Sequence, residues 1–149
     1  MRACVQRVKQ ASVKVENGIV GKIDQGLLVF LGISVDDLAA DVDWMVEKTC
    51  VLRIFAGDDD KMDRSLEDIR GQMLVVSQFT LQADCRKGRR PSFTRAADPE
   101  FATKLYQDFV AGVRARGLEV ATGKFQAQME VESINDGPVT MLLDSKKEF

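Results

Sequence analysis

An Asn-Gly step between two alternating apolar runs constrains how this chain begins. Asn17-Gly18 lies between Val13 and Val15 on one side and Ile19 and Ile23 on the other. A two-residue hairpin turn needs positive φ at both central positions, which Asn and Gly supply at little cost. The opening residues therefore read as a strand from Val5 to Val15, a tight turn, and a returning strand. Asp24-Gln25-Gly26 turns the chain again into Leu27–Ile33, a run apolar at every position, as expected of a strand buried on both faces.

Helical periodicity follows. Ser34 with Asp37 three residues on resembles a capping pair, and Leu38, Val42, Met45, Val46, Thr49 and Leu52 then recur at three- and four-residue steps. Arg53-Ile54-Phe55 reads as a short strand and Met73–Phe79 as a second buried one. Asp98-Pro99 predicts an N-cap and first turn for a helix running to about Arg116, with Phe101, Leu105, Phe109, Val110 and Val113 inward and Gly117 closing it. Phe125, Ala127, Met129 and Val131 alternate with polar residues, predicting a strand that Asn135-Asp136-Gly137-Pro138 breaks before a last strand, Val139–Leu143. About seven strands and two long helices in all, with hairpins first, argue one α+β domain over residues 1–149. Its sheet is mostly antiparallel and barrel-like, with both helices packed on one side.

The chain contains no histidine. That excludes a Ser-His-Asp triad, a Cys-His pair and a His-ligated zinc. Cys4, Cys50 and Cys85 are odd in number and widely spaced, so they suggest neither a disulfide framework nor a C-x-x-C pair. Net charge is −2, and the longest apolar run is far too short to span a bilayer, which leads to the expectation of a cytoplasmic protein without a membrane partner. The acidic run Asp58, Asp59, Asp60 and Asp63 lacks the glycine and terminal glutamate of a calcium loop and reads as a solvated loop.

Three segments are candidates for chemistry, against plainer readings as a surfacing strand end, a turn and a solvated loop. Ser77-Gln78-Phe79-Thr80-Leu81 places two hydroxyls and an amide at the end of an apolar strand, where sites are commonly built. Gly137-Pro138 is a step in which Pro permits a cis bond and Gly permits unusual backbone angles, so two carbonyls can be aimed together at an amine. Arg86, Lys87, Arg89 and Arg90 form a basic cluster suited to phosphates, without an interleaved aromatic residue to stack on a base; Phe93 follows shortly after.

Ser77-Gln78-Phe79-Thr80-Leu81 and Asn135-Asp136-Gly137-Pro138-Val139-Thr140 together resemble the two signature motifs of D-aminoacyl-tRNA deacylases. The resemblance runs through Met1–Val8, Lys87–Phe93, Leu105-Tyr106 and Thr122–Phe125, and departs at Gln126, where a small residue is expected, and at Glu132-Ser133. It implies hydrolysis of the ester between a D-amino acid, or mischarged glycine, and tRNA, by a metal-free and cofactor-free homodimer with its active site at the subunit interface. It further implies catalysis around Ser77, Gln78, Phe79 and Thr80, with main-chain N–H groups near Phe79 and Thr80 as an oxyanion hole. A cis Gly137-Pro138 from the partner would hold the α-amine, Arg7 would brace that loop, Phe125 and Met129 would line an adenosine pocket, and the basic loop would meet tRNA phosphates. Either the Thr80 hydroxyl is the nucleophile, which requires a base, or water is, assisted by the ribose 2′-hydroxyl. The missing base favours water. Two rivals remain: a non-catalytic RNA-binding dimer, and a metal-dependent hydrolase built on Asp58 to Asp63.

Overall fold

The computed structural model describes residues 1–59 and 61–149; Asp60 of the acidic run lies outside the described residues. Strand β1 (Arg2–Val15) is the spine. On one edge it pairs antiparallel first with β3 (Gly26–Gly32) and then with β2 (Gly18–Ile23). In chain order there follow α1 (Ala39–Val51), a small β4–β5 ribbon (Phe55–Ala56 and Met62–Arg64) and α2 (Leu66–Ile69). Next come β6 (Gln72–Ser77), a 3₁₀ turn (Phe79–Gln82), α3 (Pro99–Ala115), β7 (Glu119–Thr122) and β8 (Glu130–Asp144). β8 lies antiparallel along the other edge of β1 for nearly its whole length. Beyond β3 the sheet continues through β6 and β7, both parallel.

The sheet curls into a nearly closed barrel because β2 comes back toward β7. A Cβ on Gly21 would lie 2.3 Å from the Thr122 carbonyl oxygen, so only glycine permits this approach. Curling divides the apolar residues by parity. Leu27, Val29, Leu31, Met73 and Val75 face the helices, where they meet Met45, Phe109 and Val113. Leu28, Leu74 and Val76 face the barrel interior with Val8, Ala11, Val13 and Ile23. This two-sided burial is why β3 and the middle of β6, Met73–Val76, are apolar at every position. Each large side chain fully buried in this way contributes about 1.5–3 kcal/mol.

Several elements differ from the sequence reading. The hairpin forms, but its turn is Glu16-Asn17, with Glu16 at φ 55° and Val15 paired to Gly18. Burial of Val13 and Ile23, with a bulge after Val13, sets this register. Ser34 and Asp37 do not cap α1. The Asp37 carboxylate accepts the Ser34 N–H at 2.8 Å and, buried, pairs with the Met1 ammonium. Leu38 is the N-cap instead, and the Asp41 carboxylate accepts its N–H. Residues 125–129 are a turn rather than a strand, since Gln126 has φ 60°. Asn135–Pro138 does not end a strand: β8 runs through it, because β1 is long enough to pair on both sides. The strand expected over Met73–Phe79 stops at Ser77. Both α2 and β7 are additions.

Candidate active site

Strand β6 ends beside β3, and the chain folds at once into the 3₁₀ turn Phe79–Gln82. Three contacts anchor this turn from behind. The Gln78 N–H donates to the Leu31 carbonyl at 2.8 Å, the buried Gln82 amide to the Gly32 carbonyl at 2.9 Å, and the Arg2 guanidinium to the Leu81 carbonyl at 3.1 Å. Gly32 lies directly beneath: a Cβ there would stand 2.8 Å from the Gln78 carbonyl oxygen and 2.9 Å from Leu81 Cβ. Among the described residues, the N–H groups of Phe79 and Thr80 donate to no protein acceptor. Such open donors are normal for the first positions of a helical turn. The Gln78 amide donates into Thr80 Oγ1, so the hydroxyl oxygen is held by a donor rather than by a base.

A cleft of about 620 Å³ opens beside this turn. Ser77, Gln78 and Phe79 form one wall, Phe125, Gln126 and Met129 another, and the start of α3 contributes Pro99 and Ala102. The size is that of a small-molecule site. Tyr106 stiffens it from the core side. Its hydroxyl donates to the Val75 carbonyl at 2.8 Å, its ring lies 5.9 Å from that of Phe125, and burial pushes its own pKa up to about 12. Gln126, the departure from the expected small residue, occupies the left-handed region where glycine is the easy choice.

The second motif lies elsewhere. Along β8 the register steps from Thr140, opposite Gln6, to Asn135, opposite Val8, so that Asp136–Val139 bulge out against Arg7 alone. Gly137 and Pro138 are exposed, their peptide bond is cis, and Gly137 has φ 127°. The bulge is held by its own motif: the Asn135 side chain accepts the Val139 N–H at 3.0 Å and donates to Thr140 at 3.0 Å. Arg7 donates to the Asp136 carbonyl at 3.1 Å, pairs with the Asp136 carboxylate at 3.4 Å and donates to the Ile54 carbonyl. Strand spacings of ~4.8 Å and rises of ~3.3 Å put the bulge roughly 15–20 Å from Ser77 in the same chain. One protomer thus brings together Ser77, Gln78, Phe79, Phe125 and Met129, but not Gly137-Pro138.

Arg86, Lys87, Arg89 and Arg90 are all exposed on a loop closed by paired backbone hydrogen bonds of 2.8 and 3.0 Å between Asp84 and Ser92. Arg86 is committed locally: it contacts both Asp84 carboxylate oxygens, at 2.9 and 2.7 Å, and these bonds hold that carboxyl below its ordinary range. The sequence pointed to neither the placement of Phe93 on Phe79 nor the burial of Gln82. Phe93 folds back onto Phe79, with ring centroids 5.1 Å apart at 65°. Gln82 is 1% exposed, and no local pattern distinguishes it from a surface glutamine. Among the described residues no cluster of three or more His, Cys, Asp or Glu is arranged to hold a metal ion, and no helix is long and apolar enough to cross a membrane.

Known proteins resemble this chain over its full length. A D-aminoacyl-tRNA deacylase of Desulfotalea psychrophila is 60% identical over 149 residues, all of both chains, and one of Clostridioides difficile is 56% identical over the same span. Among solved structures, one described as c-Myc DNA Unwinding Element Binding Protein superposes with a TM-score of 0.91 at 40% identity, covering 97% of this chain and 98% of the other. A probable eukaryotic D-amino acid tRNA deacylase shares the fold with a TM-score of 0.83 at 21% identity, covering 95% and 97%. Residues 4–144 match the sequence profile of the D-Tyr-tRNA(Tyr) deacylases, and the chain belongs to that family.

Proposed function

We propose that this protein hydrolyses the ester joining a D-amino acid to the terminal ribose of tRNA, releasing free tRNA and the D-amino acid. The observation that carries this reading is the pair of N–H groups at Phe79 and Thr80, without a protein acceptor among the described residues, on the turn whose first residue lines a cleft of about 620 Å³. The terminal adenosine enters the cleft against Phe125 and Met129, with Ser77 and Gln78 orienting the ester. As water attacks, the carbonyl oxygen becomes an oxyanion between the two N–H groups, each worth ~3 kcal/mol of barrier. Thr80 is not the nucleophile, because its oxygen accepts from Gln78 and has no base beside it. The ribose 2′-hydroxyl assists the water. Aminoacyl esters are activated, so positioning and oxyanion stabilisation suffice without histidine.

Chirality comes from the Gly137-Pro138 bulge of a second copy of the chain, inserted beside Thr80. Its carbonyls bind the α-ammonium, and an L side chain then meets the main chain. Because the contacts are to backbone, rejection is indifferent to the side chain, and many D-amino acids are accepted. Glycine presents hydrogen on both sides and is also cleaved. Arg7 holds the bulge in place, and Lys87, Arg89 and Arg90 meet acceptor-stem phosphates.

The shared site is tested by mixing two impaired variants, Gly137→Ala and Gly32→Ala. A random mixture has half its dimers mixed, each with one intact site, so roughly a quarter of the wild-type rate returns. Mixtures no faster than the average of the separate variants would exclude the two-chain site. Tight binding of D-aminoacyl-tRNA by the wild-type protein without release of amino acid would instead support an RNA-binding role.

A further inference from the structure

The Phe79 and Phe93 rings are not explained by the reaction, which uses only the main chain of Phe79. Both are exposed, by 57% and 40%, although together they form an edge-to-face pair. An aromatic pair that served only packing within its own protomer would be expected to be covered. Phe79 also lines the cleft, so the pair stands at its mouth. Phe93 belongs to the segment that closes the basic loop, immediately after Ser92, whose backbone bonds to Asp84 fix where it emerges. Arg90 is three residues away and thus within about 10 Å along the chain. Arg86 is held by Asp84, and Lys87, Arg89 and Arg90 have no ion-pair partner among the described residues. An open aromatic surface therefore stands between the cleft and a row of cations without ion-pair partners among the described residues.

We propose that Phe93, seated on Phe79, is a stacking platform for an unpaired base that precedes the terminal nucleoside of the substrate. The occupant is the single-stranded RNA end of the substrate, which combines an exposed base with a phosphate on each side. A base on the platform puts its flanking phosphates within reach of Arg89 and Arg90, and an edge-to-face pair leaves ring faces open for stacking. This extends the proposed tRNA reaction by one nucleotide and rests on it. The platform also makes the enzyme selective for a polynucleotide over a free aminoacyl nucleoside, without reading sequence, since every base has a π-face.

The test compares two substrates: D-aminoacyl-tRNA, and the same D-amino acid esterified to adenosine alone, which has no preceding base. Phe93→Leu keeps apolar bulk and removes the ring; Phe93→Trp restores a ring. With tRNA, Phe93→Leu is expected to raise KM roughly tenfold with kcat within about twofold, as loss of one stacked base implies, and Phe93→Trp to stay near wild type. With the adenosine ester, the Leu variant and wild type should have the same kcat/KM. An unchanged KM on tRNA, or an equal loss on both substrates, overturns the platform. Absence of turnover by wild-type protein on either substrate overturns the hydrolytic reading itself, and is distinguishable because no variant is involved.

Discussion

Gly32→Ala isolates the link between the end of β3 and catalysis. The added carbon would stand 2.8 Å from the Gln78 carbonyl oxygen and 2.9 Å from Leu81 Cβ. Carbon atoms pack comfortably at about 3.5 Å, so the turn must retreat by roughly 0.6 Å. It cannot do so freely, because Gln82 and Arg2 hold it to β3 and β1. Overpacking of this kind costs about 1–3 kcal/mol, or roughly 3–10 °C in Tm for a chain of this size. Catalytic groups tolerate displacements of only about 0.5 Å, and 1 Å can cost a hundredfold, so kcat should fall about ten- to a hundredfold. The assay is single-turnover release of amino acid from D-aminoacyl-tRNA, with Tm measured in parallel. Gly18→Ala is the control, since nothing lies within 4 Å of a Cβ there. A lowered Tm with wild-type kcat would refute the claim that the backbone geometry of this turn sets the rate.

Other outcomes follow from the same geometry. Thr80→Ala should keep most of the activity, since the hydroxyl has no base; loss of more than about a thousandfold would restore it as nucleophile. Arg7→Met keeps the aliphatic stem but removes the bonds to Asp136 and Ile54, costing about 2–4 kcal/mol and lowering kcat at least tenfold with little change in tRNA affinity. Two carboxyls titrate near pH 2 in the folded protein. At Asp41, burial raises the pKa but is outweighed by bonds from Ser145, Lys146 and the Leu38 N–H, bringing it to about 2. At Glu148, bonding to Arg95 is the leading cause of a pKa of about 2. Both values lie below those of the unfolded chain, so their stabilisation is complete above about pH 5 and is lost as pH falls from about 4 to 2. With no histidine to titrate, chemical denaturation midpoints should be flat between about pH 5 and 7.

Much of the fold can be read from local pattern. The opening hairpin, α1, α3 and the two apolar strands each announce themselves through periodicity, and the parity of Leu27–Leu31 foretells burial on both faces. What failed were the places where a distant partner overrides local chemistry. Asn135-Asp136-Gly137-Pro138 has every mark of a chain break, yet β1 captures residues on both sides and reduces it to a bulge. Phe125–Val131 alternates like a strand, but a left-handed Gln126 turns it and leaves the same alternating side chains facing a cleft. β7, Glu119–Thr122, is too short and too mixed to stand out, and it is a strand because β6 lies alongside. The site motifs were visible as residues out of place: polar groups ending an apolar strand, and a Gly-Pro step. That the Phe79 and Thr80 N–H groups stand open was suggested only by the family resemblance and not by the residues themselves, because main-chain direction leaves no trace in side-chain identity. Nor does any rule of spacing put Phe93 on Phe79 across an intervening loop.

The most direct test of backbone-mediated chiral sorting is a set of paired deacylation rates on tRNAs carrying D- and L-forms of small, aromatic and charged amino acids. The expected result is rapid release of every D-residue and a D-over-L preference of at least about a hundredfold that barely depends on the side chain, as main-chain recognition requires. Comparable rates on the two enantiomers, or a preference that appears for one side chain and vanishes for another, would contradict it.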